Sequence, residues 1–195
     1  AQNGNDPTKG QFDEDGTLNT LAQVGYRAPQ YGIAFGYRYG TEGSRVRNFN
    51  ALGGGSGVLA ANQTSNGYAI NAYWQPKKSG VVPSVSGAYG WNEVSLADGK
   101  TTPRGATDSQ TWMVGLQWSD VFLKGNAAGA AIGAPGNAAS LADDKKAMLA
   151  EIFYRHKVSD SVSITPALFW VSNNQALKNN VTDYYGGVIQ TTFKF

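Results

Sequence analysis

Cysteine is absent from the 195 residues, histidine occurs once, and only 15% of the chain is charged. Without cysteine there is neither a disulfide scaffold nor a zinc ribbon. With His156 alone and no Gly-x-Ser-x-Gly, a nucleophile has no partner and a metal has no ligand cluster. No enzyme and no cofactor are therefore expected. The formal net charge is +2 with both signs scattered, so the basic stripe that nucleic acid demands is missing. Apolar runs are short as well, none approaching the ~18 residues of a spanning helix. The opening "AQNGNDPTKGQFDEDG" has no basic n-region and no apolar h-region, and an export signal is expected to have been removed or to lie upstream.

What the chain does have is 25 glycines, 12% aromatic residues and a persistent period of two. Alternation recurs in nine segments, at 18–26, 31–39, 67–75, 81–91, 109–118, 122–133, 146–157, 162–171 and 183–195. In "YGIAFGYRY" one parity reads Tyr31, Ile33, Phe35, Tyr37, Tyr39, and the other is small or charged, with Ala34 and Arg38. In "GYAINAYWQ" the apolar parity is Tyr68, Ile70, Ala72, Trp74. Links also alternate: "RAPQ", "PKKSG", "SDV" and "VSDS" are tight, whereas 40–66, 92–108, 134–145 and 172–182 are longer and rich in Gly, Asn and Ser. Strict alternation of tight and long links is the pattern of an up-and-down outer-membrane β-barrel.

In that order the apolar parity places Tyr26, Tyr31, Trp74, Trp118, Tyr154 and Phe193 at the tight ends. Tyr39, Tyr68, Trp91, Trp112, Trp170 and Tyr185 fall at the long ends, with Val24, Ile33, Ile70, Leu116, Ile152 and Leu168 between. Two aromatic girdles around an aliphatic belt are what lipid contact predicts, and Phe195 extends the lower girdle. No Lys, Arg, Asp or Glu falls on that parity within the nine segments. Pro83 and Pro166 lie inside expected strands, where each removes a ladder donor. The segment from 122 to 133 is nearly all small residues, and Lys124 and Asn126 are assigned inward because a lysine has no partner in lipid.

The opposite parity then delivers Arg38, Asn71, Gln75, Lys124, Asn126, Glu151, Arg155, Gln190 and Lys194 to a lumen, four cations against one anion. Such a balance predicts a modest anion preference. The loop at 40–66 holds Arg45, Arg47 and "GGGSG", and folded inward it would constrict the pore. "GGGSG" lacks the Lys-Ser/Thr of a phosphate loop, and "FDEDG", with Asp13, Glu14 and Asp15, lacks calcium-loop spacing, so no metal site is expected. Asn62-Gln63-Thr64 and Asn180-Val181-Thr182 read as loop residues rather than glycosylation sites.

Nine strands is an odd number, whereas bacterial single-chain barrels have even counts. With the last strand ending at the periplasm, residues 1–17 become an outer loop of a single domain spanning 1–195. The expectation is the C-terminal half of a barrel of about 16–18 strands. A complete barrel of eight or ten strands with a structural role stays open, as does a soluble β-sandwich lectin whose Trp and Tyr stack on sugars.

The blocks "INAYWQPKKSGVVPSVSGAYGWN", "GLQWSDVFLKGNAAGAAIG", "FYRHKVSDSVSITPALFWVSN" and the closing "TTFKF" resemble the C-terminal barrel of cyanobacterial porins of the OprB-like group. The resemblance covers most of residues 67–195. It implies a trimeric outer-membrane porin, in contact with lipid and lipopolysaccharide, whose preceding part carries a peptidoglycan-attaching S-layer-homology domain. It also implies passive diffusion; the group's members carry carbohydrate-selective and iron-uptake labels. Inorganic ions and small polar solutes are the expected cargo.

Overall fold

A computed structural model describes residues 18–47, 56–59, 62–78, 80–96, 108–139, 146–172 and 183–194. The strands are β1 (Asn19–Arg27), β2 (Tyr31–Gly40), β3 (Arg45–Arg47), β4 (Ser56–Val58), β5 (Gln63–Trp74), β6 (Ser84–Leu96), β7 (Ser109–Ser119), β8 (Ala127–Ala138), β9 (Met148–Lys157), β10 (Val162–Ser172) and β11 (Tyr184–Phe193). Nine of them form one antiparallel sheet in the order β1-β2-β5-β6-β7-β8-β9-β10-β11, and β3 pairs with β4 in a separate hairpin. Each large strand pairs with its sequence neighbours, which is the up-and-down meander of a barrel wall. The sheet is not closed, so β1 and β11 each keep one free edge. No helix and no second layer occur among the described residues, which removes the β-sandwich alternative.

Register explains why a period of two becomes two distinct faces. Val24 pairs with Phe35, Phe35 with Ile70, Ile70 with Tyr89 and Tyr89 with Trp112, so one row of apolar side chains crosses five strands. A second row runs from Leu116 through Ala130 and Ile152 to Leu168 and Gly187. This outer face is unburied: Val24 is 70% exposed, Leu168 62% and Ile189 74%. Exposed apolar area on that scale marks a surface made for something other than water. Above and below the aliphatic rows the aromatics group, with Tyr68 stacked on Trp91 at 5.1 Å and Tyr26 6.1 Å from Tyr31.

Strand ends depart from the sequence reading in a consistent direction. β5 begins at Gln63 rather than 67, β6 runs to Leu96 rather than 91, and β8 to Ala138 rather than 133. The added pairs, such as Gln63 with Leu96 and Asn66 with Glu93, are mostly polar. Backbone ladders need no apolar alternation, so pairing continues beyond the last aromatic where the periodic signal stops. Glu93 consequently falls on the outer face, but one pair beyond Trp91, where the aromatic band has ended and headgroups and water begin.

At the tight ends, two assignments are corrected. Pro83 precedes β6 instead of interrupting it. The segment that begins at 122 is a turn up to 126 and a strand only from Ala127. Asp120, Phe122 and Gly125 all have positive φ there, at 58°, 63° and 91°. Asp120 Oδ1 accepts from Gly125 N at 2.7 Å, closing a compact turn that alternation cannot describe. Pro166 does sit within β10: it pairs with Ile189, but the ladder to β9 has no pairs at Thr165 and Pro166 and resumes in the same register at Ala167. β8 absorbs Pro135 and Gly136 in a bulge opposite Gln110 and Trp112. The expected outer loop 1–17, with Asp13, Glu14 and Asp15, and the final Phe195 lie outside the described residues.

Candidate functional site

The sheet curls around the face opposite the girdles, so that Asn71 on β5 and Tyr184 on β11 line one cleft of about 570 Å³. This inner face is largely glycine, alanine, serine and threonine, which leaves room between strands and the axis they surround. Five of the residues assigned to a lumen stand on it within strands. Arg38 pairs with Gly67, Asn71 with Ala34 and Ala88, Glu151 with Ala131 and Phe169, Arg155 with Ala127, and Gln190 with Thr165. Arg38 Nε donates to Asn19 Oδ1 at 2.9 Å, which ties the side chain toward the β1 edge.

Four others lie beyond the strands. Gln75 follows β5, and its Nε2 donates to the carbonyl of Pro29 at 2.8 Å, stapling two tight turns together. Lys194 follows β11, where its backbone N donates to Ser161 O. Lys124 lies exposed in the β7–β8 turn rather than on a strand. Asn126 is buried: its Nδ2 donates to Tyr154 Oη at 2.6 Å and its Oδ1 accepts from Lys157 N at 2.9 Å. Since Tyr154 belongs to the outer face, Asn126 is a structural clamp on the girdle side and not part of an inward row. The inward assignments of Lys124 and Asn126 are therefore corrected, and the cause is the turn that parity mistook for strand.

Arg45 and Arg47 occupy β3, facing β4 across the pairs Arg45 to Val58 and Arg47 to Ser56. The base of this hairpin is fastened to the long-link end of the sheet. Gly43 N donates to Leu59 O and Leu59 N to Ser44 O, while Ser44 Oγ donates to Leu18 O at 3.1 Å. Leu59 is 1% exposed and packs on Val94, an inner-face residue of β6. Ser65, also on the inner face, is fully covered. The long link thus leans over the inner side of the sheet at its mouth.

One part of the inner wall was missed by the search for polar residues. On β9, β10 and β11 it carries Leu149, Phe153, Phe169, Val171, Tyr184 and Val188. A Cβ on Gly186 would fall 2.8 Å from both Cε atoms of Phe169, and closer still to its Cζ, so the Phe169 ring lies face-down on that glycine. Phe153 covers Gly129 and Tyr73 covers Gly32 in the same way of sharing space. Tyr184 stands at 87° to Phe169 with centroids 6.2 Å apart. Parity alone would have flagged Phe153 and Phe169, since each is one residue away from an outer aliphatic side chain.

All described girdle residues fall on the outer face. Tyr31 pairs with Trp74, Tyr89 with Trp112, Trp118 with Ala128, Trp170 with Tyr185 and Val162 with Phe193. At the tight end of the last hairpin Lys157 Nζ lies 2.5 Å from Asp160 Oδ1. That hydrogen bond, with the lysine charge behind it, holds the Asp160 carboxyl below the ordinary carboxylate range.

This construction is a wall with a lipid-compatible side and a small-residue side, and comparison with known proteins agrees. Residues 99–195 match the family model described as carbohydrate-selective porin, OprB family. Residues 99–195 are an OprB-family porin segment. OprB porins are bacterial outer-membrane channels, a class distinct from enzymes. The porin chain is 29% identical over its whole length to the uncharacterized protein sll0772 of Synechocystis, covering 39% of that protein. It is 30% identical to the uncharacterized protein alr4550 of Nostoc, again over its whole length, covering 35% of that one. It therefore spans less than two-fifths of the curated relatives it matches, both cyanobacterial. No solved structure matches it.

Proposed function

We propose that this chain forms part of the wall of a cyanobacterial outer-membrane diffusion porin, passing small polar solutes and inorganic ions down their gradients. The observation that carries the reading is the facial division of the nine-stranded sheet. Its outer face is aliphatic between two aromatic bands, without a charged residue between them, and its inner face holds the strand-borne Arg38, Glu151 and Arg155. In lipid a charge on the outer face costs about 2–4 kcal/mol at the midplane, while inner positions tolerate it. The free edges of β1 and β11 pair, on this reading, with further strands of the same barrel, which removes both edges. The outer face meets lipid and lipopolysaccharide, and three such barrels associate as a homotrimer.

With Lys124 in a turn, the inner charges of the described strands and their ends include Arg38, Arg155 and Lys194 against Glu151. A modest anion preference follows. The β3–β4 hairpin, anchored through Leu59 over the inner side, narrows the mouth and brings Arg45 and Arg47 near the entering solute. Planar-bilayer recording of the full-length protein tests the reading. Stable ion-conducting steps are expected, with a reversal potential in a salt gradient shifted toward the anion. A protein that stays monodisperse without detergent and forms no channels would overturn it.

A further inference from the structure

The inner wall of β9–β11 holds an arrangement that diffusion of ions does not require. The Phe169 ring lies flat over Gly186, with one face spent on the wall and the other turned to the cleft. Tyr184 rises from the neighbouring strand at 87° to it, making a corner with an aromatic floor and an aromatic side. Glu151 is the cross-strand partner of Phe169, exposed, and lines the same cleft as both rings. Phe153 pairs with Ala167, two residues below Phe169 on β10, so it lies diagonally beneath the floor and continues the aromatic track toward the periplasm. The cleft, about 570 Å³, is within the range of small-molecule sites.

We infer that this corner is a pyranose-binding subsite on the permeation path, an inference that rests on the porin reading above. A pyranose ring in its chair form presents an apolar patch of axial C–H groups on one face and hydroxyls around its rim. Such a solute matches a flat aromatic floor from above, meets a second ring with its edge, and offers hydroxyl donors to a carboxylate beside the floor. An inorganic ion has no use for either ring, and an acyclic polyol has hydroxyls but no rigid apolar face. The placement near the long-link end puts the corner where an entering solute first meets the β9–β11 wall. Phe153 below offers the next stacking surface, so a sugar passes by exchange of one ring for another instead of by complete release.

The test uses the full-length porin in planar bilayers, with ion current in potassium chloride as readout and glucose, maltotriose or mannitol as probe. Maltotriose is expected to block the current, with a half-blocking concentration about tenfold or more below that of mannitol. Phe169→Ala and Tyr184→Ala should each raise the maltotriose value about five- to tenfold, the scale of one lost stacking contact. Glu151→Gln should raise it by about two- to threefold while leaving mannitol unchanged. Phe169→Leu keeps apolar bulk against Gly186 but removes the flat face, so it should lose sugar block as Phe169→Ala does even if the alanine variant assembles poorly. Equal maltotriose block in wild type and Phe169→Leu overturns the proposal. So does an altered sugar-free conductance in that variant with sugar block intact, which would mean that a peptide segment sits on the ring. Channels that conduct salt but ignore every sugar overturn the subsite and leave the diffusion porin standing. Absence of channels overturns both.

Discussion

Glu151 and Ile152 are neighbours in the chain, yet one stands beside Ala131 and Phe169 on the inner face and the other between Ala130 and Leu168 on the outer. The same comparison extends across the sheet. The outer face keeps one chemistry throughout, aliphatic rows bounded by Tyr and Trp. The inner face changes along the sheet, from Arg38, Asn71 and small polar residues on β2–β7 to Phe153, Phe169 and Tyr184 on β9–β11. A face in contact with lipid answers to a solvent that is uniform around the barrel, so every strand meets the same requirement. An inner face answers to whatever passes or docks there, and each sector is free to differ.

The largest expected break comes from placing charge on the wrong side. Leu168→Arg should destabilise the protein in lipid or detergent by about 2–4 kcal/mol, read as a lower urea midpoint, because the guanidinium enters hydrocarbon. Ala131→Lys, on the inner face beside Glu151, should cost less than about 1 kcal/mol in the same assay. Equal costs would abolish the distinction between the faces.

Two adjacent glycines sharpen it next. In Gly186→Ala the new methyl collides with the Phe169 ring, and a cost of about 1–3 kcal/mol is expected as the ring is forced off the wall. In Gly187→Ala the nearest atom is Leu168 Cδ2 at 3.3 Å, on a flexible side chain, and the change should stay within about 0.5 kcal/mol. Gly125→Ala tests the turn that separates the faces at the tight end. Its φ of 91° and a contact of 2.6 Å to Lys157 Cδ together should cost about 1–2 kcal/mol and slow assembly of β8.

The smallest effect belongs to Asp160, which lies in the tight turn outside either face. Its carboxyl is held below the ordinary range by Lys157. A depressed folded value means that the contribution is present above the unfolded pKa and disappears as pH falls through the folded one. Carboxyl titration by NMR should show Asp160 titrating lower than in Lys157→Met, where it returns to the ordinary range.

Much of the wall was legible from residues alone. Alternation located all nine strands, and the rows through Val24, Phe35 and Ile70 run as parity required. Errors gathered where alternation has no content. The 120–126 turn with its three positive-φ residues reads as strand because small residues fit any period. The polar ends of β5 and β6 read as loops because backbone pairing leaves no hydrophobic trace. The aromatic corner was passed over because the search took the inner parity for polar, whereas Leu149, Phe153 and Phe169 there are as apolar as their outer neighbours.

The sequence by itself determined which side chains share a face, because a period of two is imposed by the geometry of a single extended strand and survives any arrangement of its neighbours. It also determined that one face suits lipid, since that follows from side-chain chemistry summed over strands. Only the tertiary structure decided what meets across strands: Phe169 on Gly186, Tyr184 upright beside it, Asn126 clamped to Tyr154. Those contacts depend on register between segments, and register is a property of pairs of strands that no single strand contains.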